Sequence, residues 1–373
     1  MNKKINVGIW GLGRAGNGMQ VAEIQQYPQL FEIVAGCDIA EDRRQAMAAK
    51  YSCRLHADPA AFLADPEVEL VSVATRSPDH VRHACQALKA GKYVFLEKPI
   101  ALNGVEARKL LAAGRKFPGR LYLRHNRHFE PGFVHIREII ASGILGEIFE
   151  VKLHRHGFQF RDDWQTIIAC GGGQLNNWGP HIIEHALCFL ESPVAEIWSD
   201  LKKIAAVGDA EDHLKIILKG KNGRVVDIEI SGGTALSQPE YIIFGAKGAL
   251  TCQGDDIHLK YIDPRQKMPA IKAHPENPPL NWGSSDPNQE KIRWIEKDLK
   301  VAPRAGCDTN SIWEHLYKAI RRHVKYPVTL AQGLEIVRIA EMVKHPAKPC
   351  EAIGSHRASW RRRVKKGTPF AGK

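Results

Sequence analysis

Lys98 ends a short apolar run, Tyr93-Val94-Phe95-Leu96, with Glu97 before it and Pro99 after it. Such a run reads as a buried strand. A lysine at its end delivers an amine to the carboxyl edge of a sheet, where open α/β sheets bind ligands. There it can orient a hydroxyl, stabilise an alkoxide, or act as a base if its pKa falls.

Far upstream lies Gly11-Leu12-Gly13-Arg14-Ala15-Gly16. It follows a predicted strand at 5–10 and opens a predicted helix at 16–26, the setting a dinucleotide-binding turn needs. Gly11 allows the tight turn, Gly13 lets the backbone approach a pyrophosphate, and Gly16 lets helix and strand pack closely. Leu12, Arg14 and Ala15 contribute the intervening backbone, and the helix start offers free N–H groups to the anion. Asp38 ends the next predicted strand and suits an adenosine ribose. A carboxylate there repels a 2′-phosphate, which favours NAD. Arg43 and Arg44 could each pair with that phosphate, which keeps NADP open.

Two further clusters carry chemistry. Arg161-Asp162-Asp163-Trp164 joins polar groups to an aromatic face, suited to sugar hydroxyls and ring C–H groups. His181-x-x-Glu184-His185 has the spacing of an inverted zinc-protease motif. The triple glycine before it and the want of a third ligand argue against zinc, so no metal is expected. His125, His128, His154 and His156 read as cofactor-side, strand-surface or substrate residues.

The elements that must position these groups follow from the pattern. Strands at 5–10, 32–37, 70–74, 93–96 and 120–123 alternate with helices at 16–26, 42–50, 78–90 and 105–116, the signature of a doubly wound parallel sheet. Beyond it the pattern changes. Helices are expected at 131–142, 180–190, 312–324 and 331–343. Strands are expected at 147–154, 196–202, 214–218, 225–230, 241–244, 249–252 and 257–261. Asn222-Gly223 makes a hairpin turn between two of them. The fold class is α/β: an N-terminal Rossmann sheet over 1–123, then an α+β domain with a large, mostly antiparallel open sheet over 124–345, then a basic tail at 346–373. The proline-bearing stretch 263–303 is expected to be a long excursion, a lid over the site.

The 373 residues are 44% hydrophobic and 25% charged, enough for two cores. No run is long enough to span a membrane, and the chain enters its first strand within a few residues of Met1, so the expected location is cytoplasmic. The eight cysteines lack CxxC spacing and read as free thiols. More than half of the net charge of +12 sits in the tail from Arg357 on. That makes nucleic acid and membrane surfaces unexpected partners.

Three blocks together resemble the glucose–fructose oxidoreductase / inositol dehydrogenase (Gfo/Idh/MocA) family: the glycine turn, Glu97-Lys98-Pro99, and 171–181, which reads Gly-Gly-Gly-Gln-Leu-Asn-Asn-Trp-Gly-Pro-His. The segment from Asn126 and Arg127 through Pro131 resembles the family's link between domains. The resemblance implies hydride transfer between NAD(P) and a hydroxyl or carbonyl of a sugar, cyclitol or related polyol. It places Lys98 beside nicotinamide and substrate, and His181 at the catalytic histidine. Asn177 falls where the family's dehydrogenases carry aspartate, and Asp162, Asp163 or Glu184 could supply the missing carboxylate. Thr75, Ser77, His80, Glu97 and Asn126 fall in cofactor-contacting blocks. Arg161, Asp163, Trp164, Asn177, Lys98 and His181 form the expected substrate set. Two alternatives stand: transient sugar oxidation leading to elimination or glycoside cleavage, and a non-catalytic NAD-binding protein. A homo-oligomer joined through the open sheet face is also expected.

Overall fold

The structure is a computed structural model that describes residues 3–267, 292–302 and 304–345. Six parallel strands form the first sheet: β1 Ile5–Trp10, β2 Phe31–Cys37, β3 Arg54–His56, β4 Leu70–Val73, β5 Tyr93–Glu97 and β6 Leu121–Arg124. Their order is β3-β2-β1-β4-β5-β6. The order reverses between β1 and β4, which opens a crevice at the carboxyl ends of those strands. Fully buried Ile5, Val7, Ile9, Leu70, Val71, Val94 and Leu96 explain why these strands read as continuous apolar runs. The helices are α1 Val21–Ile24, α2 Glu41–Ala48, α3 Pro59–Ala64, α4 His80–Lys89 and α5 Gly104–Lys116.

Three local readings are corrected. The helix expected at 16–26 begins as a π turn, Gly16–Gln20, and ends at Ile24. The edge strand β3 and α3 were not anticipated. Asp58 caps α3 by accepting from the N–H groups of Ala60 and Ala61, with Pro59 at its first position.

The second layer comprises α6 Pro131–Ala141, β7 Ile148–His156, α7 Gln174–Asn177, α8 Gly179–Leu190, β8 Val194–Lys202, β9 His213–Gly220, β10 Val225–Ser231, β11 Tyr241–Gly245, β12 Gly248–Gln253, β13 Asp256–Ile262, β14 Trp294–Lys300, α9 Ser311–Arg322 and α10 Leu330–Lys344. The eight strands run β14-β13-β12-β11-β7-β10-β9-β8. Every pairing is antiparallel except β7 with β10. Gly223 takes φ +83° in the β9–β10 turn, as the Asn-Gly pair requires. One face packs Val151, Ile216, Ile228 and Ile243 against α8 and α10.

Strand β14 occupies part of the stretch expected as an irregular lid. Residues 268–291 of that stretch, and the tail 346–373, lie outside the described residues. Helix α9 falls within 124–345 yet joins the first core through Ile312, Trp313, Leu316 and Tyr317. Trp313 Nε1 donates to Glu23 at 2.8 Å. Among the described residues no helix is long and apolar enough to cross a membrane.

Candidate functional site

The glycine turn shapes a cradle. Gly11 has φ +99°, and a Cβ on it would lie 2.5 Å from the Ala74 carbonyl oxygen. A Cβ on Gly16 would lie 1.9 Å from the Gly11 carbonyl oxygen. Gly13 is different, because its Cβ would meet only the Arg43 guanidinium, at 3.6 Å. The first and third glycines therefore serve packing, while the second leaves an open backbone face, which suits a pyrophosphate. Arg14 is exposed and Leu12 buried.

Asp38 is tied to the turn. Its Oδ2 accepts from the Leu12 N–H at 2.8 Å and its Oδ1 from the Ala40 N–H at 2.9 Å. Arg43 Nη1 lies 3.4 Å from Oδ2, and Arg44 donates to the carbonyls of Asp38 and Ile39. The carboxylate expected for a ribose thus sits beside a half-exposed arginine.

The remaining first-domain residues divide by orientation. Glu97 faces inward, 5% exposed. It accepts from Gln20 at 3.1 Å, from Arg124 at 2.5 Å and from the Lys98 N–H at 3.0 Å. Arg124 also clasps Glu23 at 2.5 and 2.6 Å. His80 is equally buried, with Nδ1 2.7 Å from the Pro99 carbonyl oxygen and Nε2 3.1 Å from that of Thr75. Thr75 Oγ1 lies 2.9 Å from His83 Nδ1. Glu97 and His80, expected at the cofactor, instead fix the backbone on either side of Lys98. Ser77 is buried, and Asn126 is half-buried in a 3₁₀ turn, Asn126–Phe129.

Lys98 crosses from the first domain to the second. Its Nζ donates to the Asn177 carbonyl oxygen at 3.0 Å and lies 3.4 Å from Asn177 Oδ1. Burial depresses its pKa to about 8, opposed by Glu97 and assisted by Arg124, Arg127 and Arg14. Asn177 Oδ1 also lies 3.4 Å from Gln165 Nε2.

The residues before α8 explain the glycine run. Gly171 and Gly173 have φ +75° and +99°. A Cβ on Gly172 would lie 2.5 Å from the Gln165 carbonyl oxygen, and one on Gly173 would lie 2.3 Å from Glu211 Oε1. Glu211 closes this corner by accepting from the Leu175 N–H at 3.0 Å. His181 follows on α8, 6% exposed, with its ring 6.1 Å from that of Trp178 and 6.3 Å from that of His125. Burial lowers its pKa well below the usual histidine value, and Lys98, His125, Arg127 and His185 push the same way.

Arg161 holds both Asp163 oxygens, at 3.0 and 2.8 Å, and also reaches Gln165. Asp163 caps the turn Trp164–Thr166, and Trp164 is 40% exposed. Arg161, Gln165, Gln174, Asn177, Gln159 and Asp212 line one cleft. The carboxylate sought to replace an aspartate at 177 is not supplied by Asp163, which pairs with Arg161, nor by Glu184, which faces His128 at 2.6 Å.

Sequence reasoning missed Arg124, Gln165 and Glu211, and read Arg127 only as part of the link between domains. Arg127 stacks 4.4 Å over Trp178. Glu184 Oε1 also accepts from Cys188 Sγ at 3.4 Å, so a third potential ligand to His128 and Glu184 exists after all.

Residues 5–125 match the oxidoreductase family with an NAD-binding Rossmann fold, and residues 133–251 match the Gfo/Idh/MocA C-terminal domain. The chain belongs to the Gfo/Idh/MocA oxidoreductase family, an enzyme family whose cofactor is a nicotinamide dinucleotide. It is 26% identical to the uncharacterized oxidoreductase YdgJ of Escherichia coli, over 94% of this chain and 100% of that protein. It is also 26% identical to the scyllo-inositol 2-dehydrogenase (NADP(+)) IolW of Bacillus subtilis, over 78% and 79%. The 2,7-anhydro-N-acetylneuraminate hydratase of Escherichia coli is 26% identical over 66% and 67%. The fold matches that of an oxidoreductase from Thermotoga maritima with TM-score 0.76 at 20% identity, over 92% and 96% of the two chains.

Proposed function

We propose that the enzyme transfers hydride between NAD(P) and a hydroxyl or carbonyl of a sugar, cyclitol or related polyol. The observation that carries this reading is the reach of Lys98 from the end of β5 to Asn177, with His181 buried on the adjoining α8 and its pKa lowered in part by Lys98. When bound, the nicotinamide accepts or gives the hydride. Lys98, with its depressed pKa, orients the reacting hydroxyl and shares its proton. His181 rests neutral in its buried setting and is charged only when it accepts that proton. Asn177 holds Lys98 through two oxygen atoms without adding charge. Arg161, Asp163, Trp164 and Gln165 contact the rest of the ring, while Arg43 beside Asp38 makes room for either dinucleotide.

A second reading rests on the same asparagine. Without a carboxylate at 177, Lys98 is more readily neutral, and a neutral amine can take a proton from carbon next to a transient ketone. A hydratase among the relatives supports keeping this elimination chemistry in view. The test is a polyol, sugar and glycoside panel with NAD and NADP, following reduced nicotinamide and sugar products together. Stoichiometric reduced nicotinamide supports net oxidation. Product without it supports the cyclic route, and failure to bind either dinucleotide in calorimetry refutes both. The enzyme acts in the cytoplasm, as a homo-oligomer joined through the sheet face that carries Phe149 and Trp198.

A further inference from the structure

Glu184 is a buried carboxylate, 3% exposed. Buried charges are paired or coordinate metals. Among the described residues its ion-pair partners are both histidines, His128 at 2.6 Å and His185 at 3.8 Å, which carry charge only when protonated. His185 is engaged elsewhere, with Nε2 2.9 Å from the Arg127 carbonyl oxygen and Nδ1 3.3 Å from the Tyr241 hydroxyl.

One oxygen of Glu184, Oε1, meets both His128 Nδ1 and Cys188 Sγ, at 2.6 and 3.4 Å. The nitrogen, the sulfur and the carboxylate oxygen all lie within 4.8 Å of one another. Two elements bring them together. Glu184 and Cys188 are four residues apart on α8 and so share a face. His128 comes from the 3₁₀ turn Asn126–Phe129, which packs on that helix.

We propose that His128, Glu184 and Cys188 bind one zinc ion, which fastens the link between the domains to α8. The site shares only Glu184 with the His181-x-x-Glu184-His185 spacing and uses neither of those histidines. A thiolate and an imidazole suit zinc, whereas magnesium and calcium take oxygen ligands. Zinc bonds of about 2.0–2.3 Å at tetrahedral angles set sulfur and oxygen about 3.5 Å apart, and nitrogen and oxygen about 3.3 Å apart. The sulfur already fits. The nitrogen must withdraw by about 0.7 Å to reach that spacing, a small movement for a half-buried side chain on a turn. On binding, the thiol proton leaves to solvent. The proton between His128 and Glu184 moves to Nε2 of a neutral ring, or leaves a charged one. Glu184 and Cys188 also line an open cleft of about 460 Å³ between α8 and α10. The cleft gives the ion a path in and a solvent molecule for the fourth position. His181 lies one turn before Glu184, so the ion steadies the helix that carries it. The site stands whatever the substrate.

The test strips the full-length protein with a chelator and titrates it with zinc alone in calorimetry. One ion binds per chain. Cys188→Ser and His128→Gln each lose more than the ~10–100-fold that removing an outer partner of a metal site costs. Zinc raises the melting temperature of wild type and of neither variant. Cobalt(II) reports the ligands: wild type shows a thiolate-to-cobalt charge-transfer band, Cys188→Ser loses it, and Cys350→Ser, which removes a thiol from the tail, keeps it. A further arm needs no variant: zinc shields Cys188 of wild type from alkylation, read by peptide mass mapping. The site is overturned by a wild type that takes up no zinc, by undiminished affinity in either variant, by a cobalt–thiolate band that survives Cys188→Ser, or by a Cys188 that zinc leaves unshielded.

Discussion

Replacing Asn177 by aspartate tests how the site sets the charge of Lys98. The substitution changes one amide to a carboxylate, 3.4 Å from Lys98 Nζ. At an effective dielectric near 20, a unit pair about 4 Å apart attracts by about 4 kcal/mol, before the cost of desolvating the new carboxylate is subtracted. What survives raises the lysine pKa by about 1–3 units. Starting from about 8, the amine of Asn177→Asp stays protonated well into the alkaline range. Each unit makes neutral lysine about tenfold scarcer at neutral pH. The acidic limb of the kcat/KM profile therefore moves to higher pH by that amount if neutral Lys98 is the working form. Stability moves as well. In wild type the folded pKa lies below the ordinary 10.5, so charged Lys98 weakens the fold below about pH 8 and the penalty fades as pH rises from 8 to 10.5. In Asn177→Asp this pH dependence flattens. The checks are a pH–rate profile and denaturant melts at pH 7 and 10. An acidic limb that stays put, or moves down, would show that Lys98 does not set it.

The glycine turn separates packing from binding. Gly13→Ala folds with wild-type stability and loses at least tenfold in dinucleotide affinity by calorimetry, because its Cβ meets only Arg43. Gly16→Ala melts earlier, because its Cβ would overlap the Gly11 carbonyl. Arg43→Ala weakens NADP more than NAD in the same titration, since its guanidinium lies beside the two-fold-engaged Asp38 carboxylate. Glu97→Gln leaves Arg124 with Glu23 alone in a buried network and costs about 3 kcal/mol in urea unfolding.

The parallel sheet and its glycine turn were legible because strand burial, turn chemistry and helix periodicity agree there. The antiparallel sheet was legible as alternation from β7 to β13. β14 was not, because its charged alternation, Glu296 to Lys300, lies beyond a stretch of prolines that argued for a loop. β3 spans only three residues, too few to show a period. At the site, residue types singled out Lys98, Asn177 and His181, and the structure joins the first two and buries the third on the next helix. Side-chain direction was the illegible part. Glu97 and His80 flank Lys98 but turn inward, and nothing in a strand end or a helix start announces that. Arg124 and Glu211 escaped for the same reason: their partners, Glu23 and Leu175, are remote in sequence.

Trp313 sets a schedule for synthesis. The first core contains α9, whose indole reaches Glu23, itself held by Arg124. Arg124, the later of the two, leaves the ribosome roughly 190 residues before α9, about 10–40 s earlier at ordinary elongation rates. For that interval the dinucleotide-binding half has one flank bare, with Phe31 and Phe95 waiting for the ring that covers them. The nascent chain must therefore be shielded, or must hold its own apolar flank together, until the last quarter of the sequence arrives to close it.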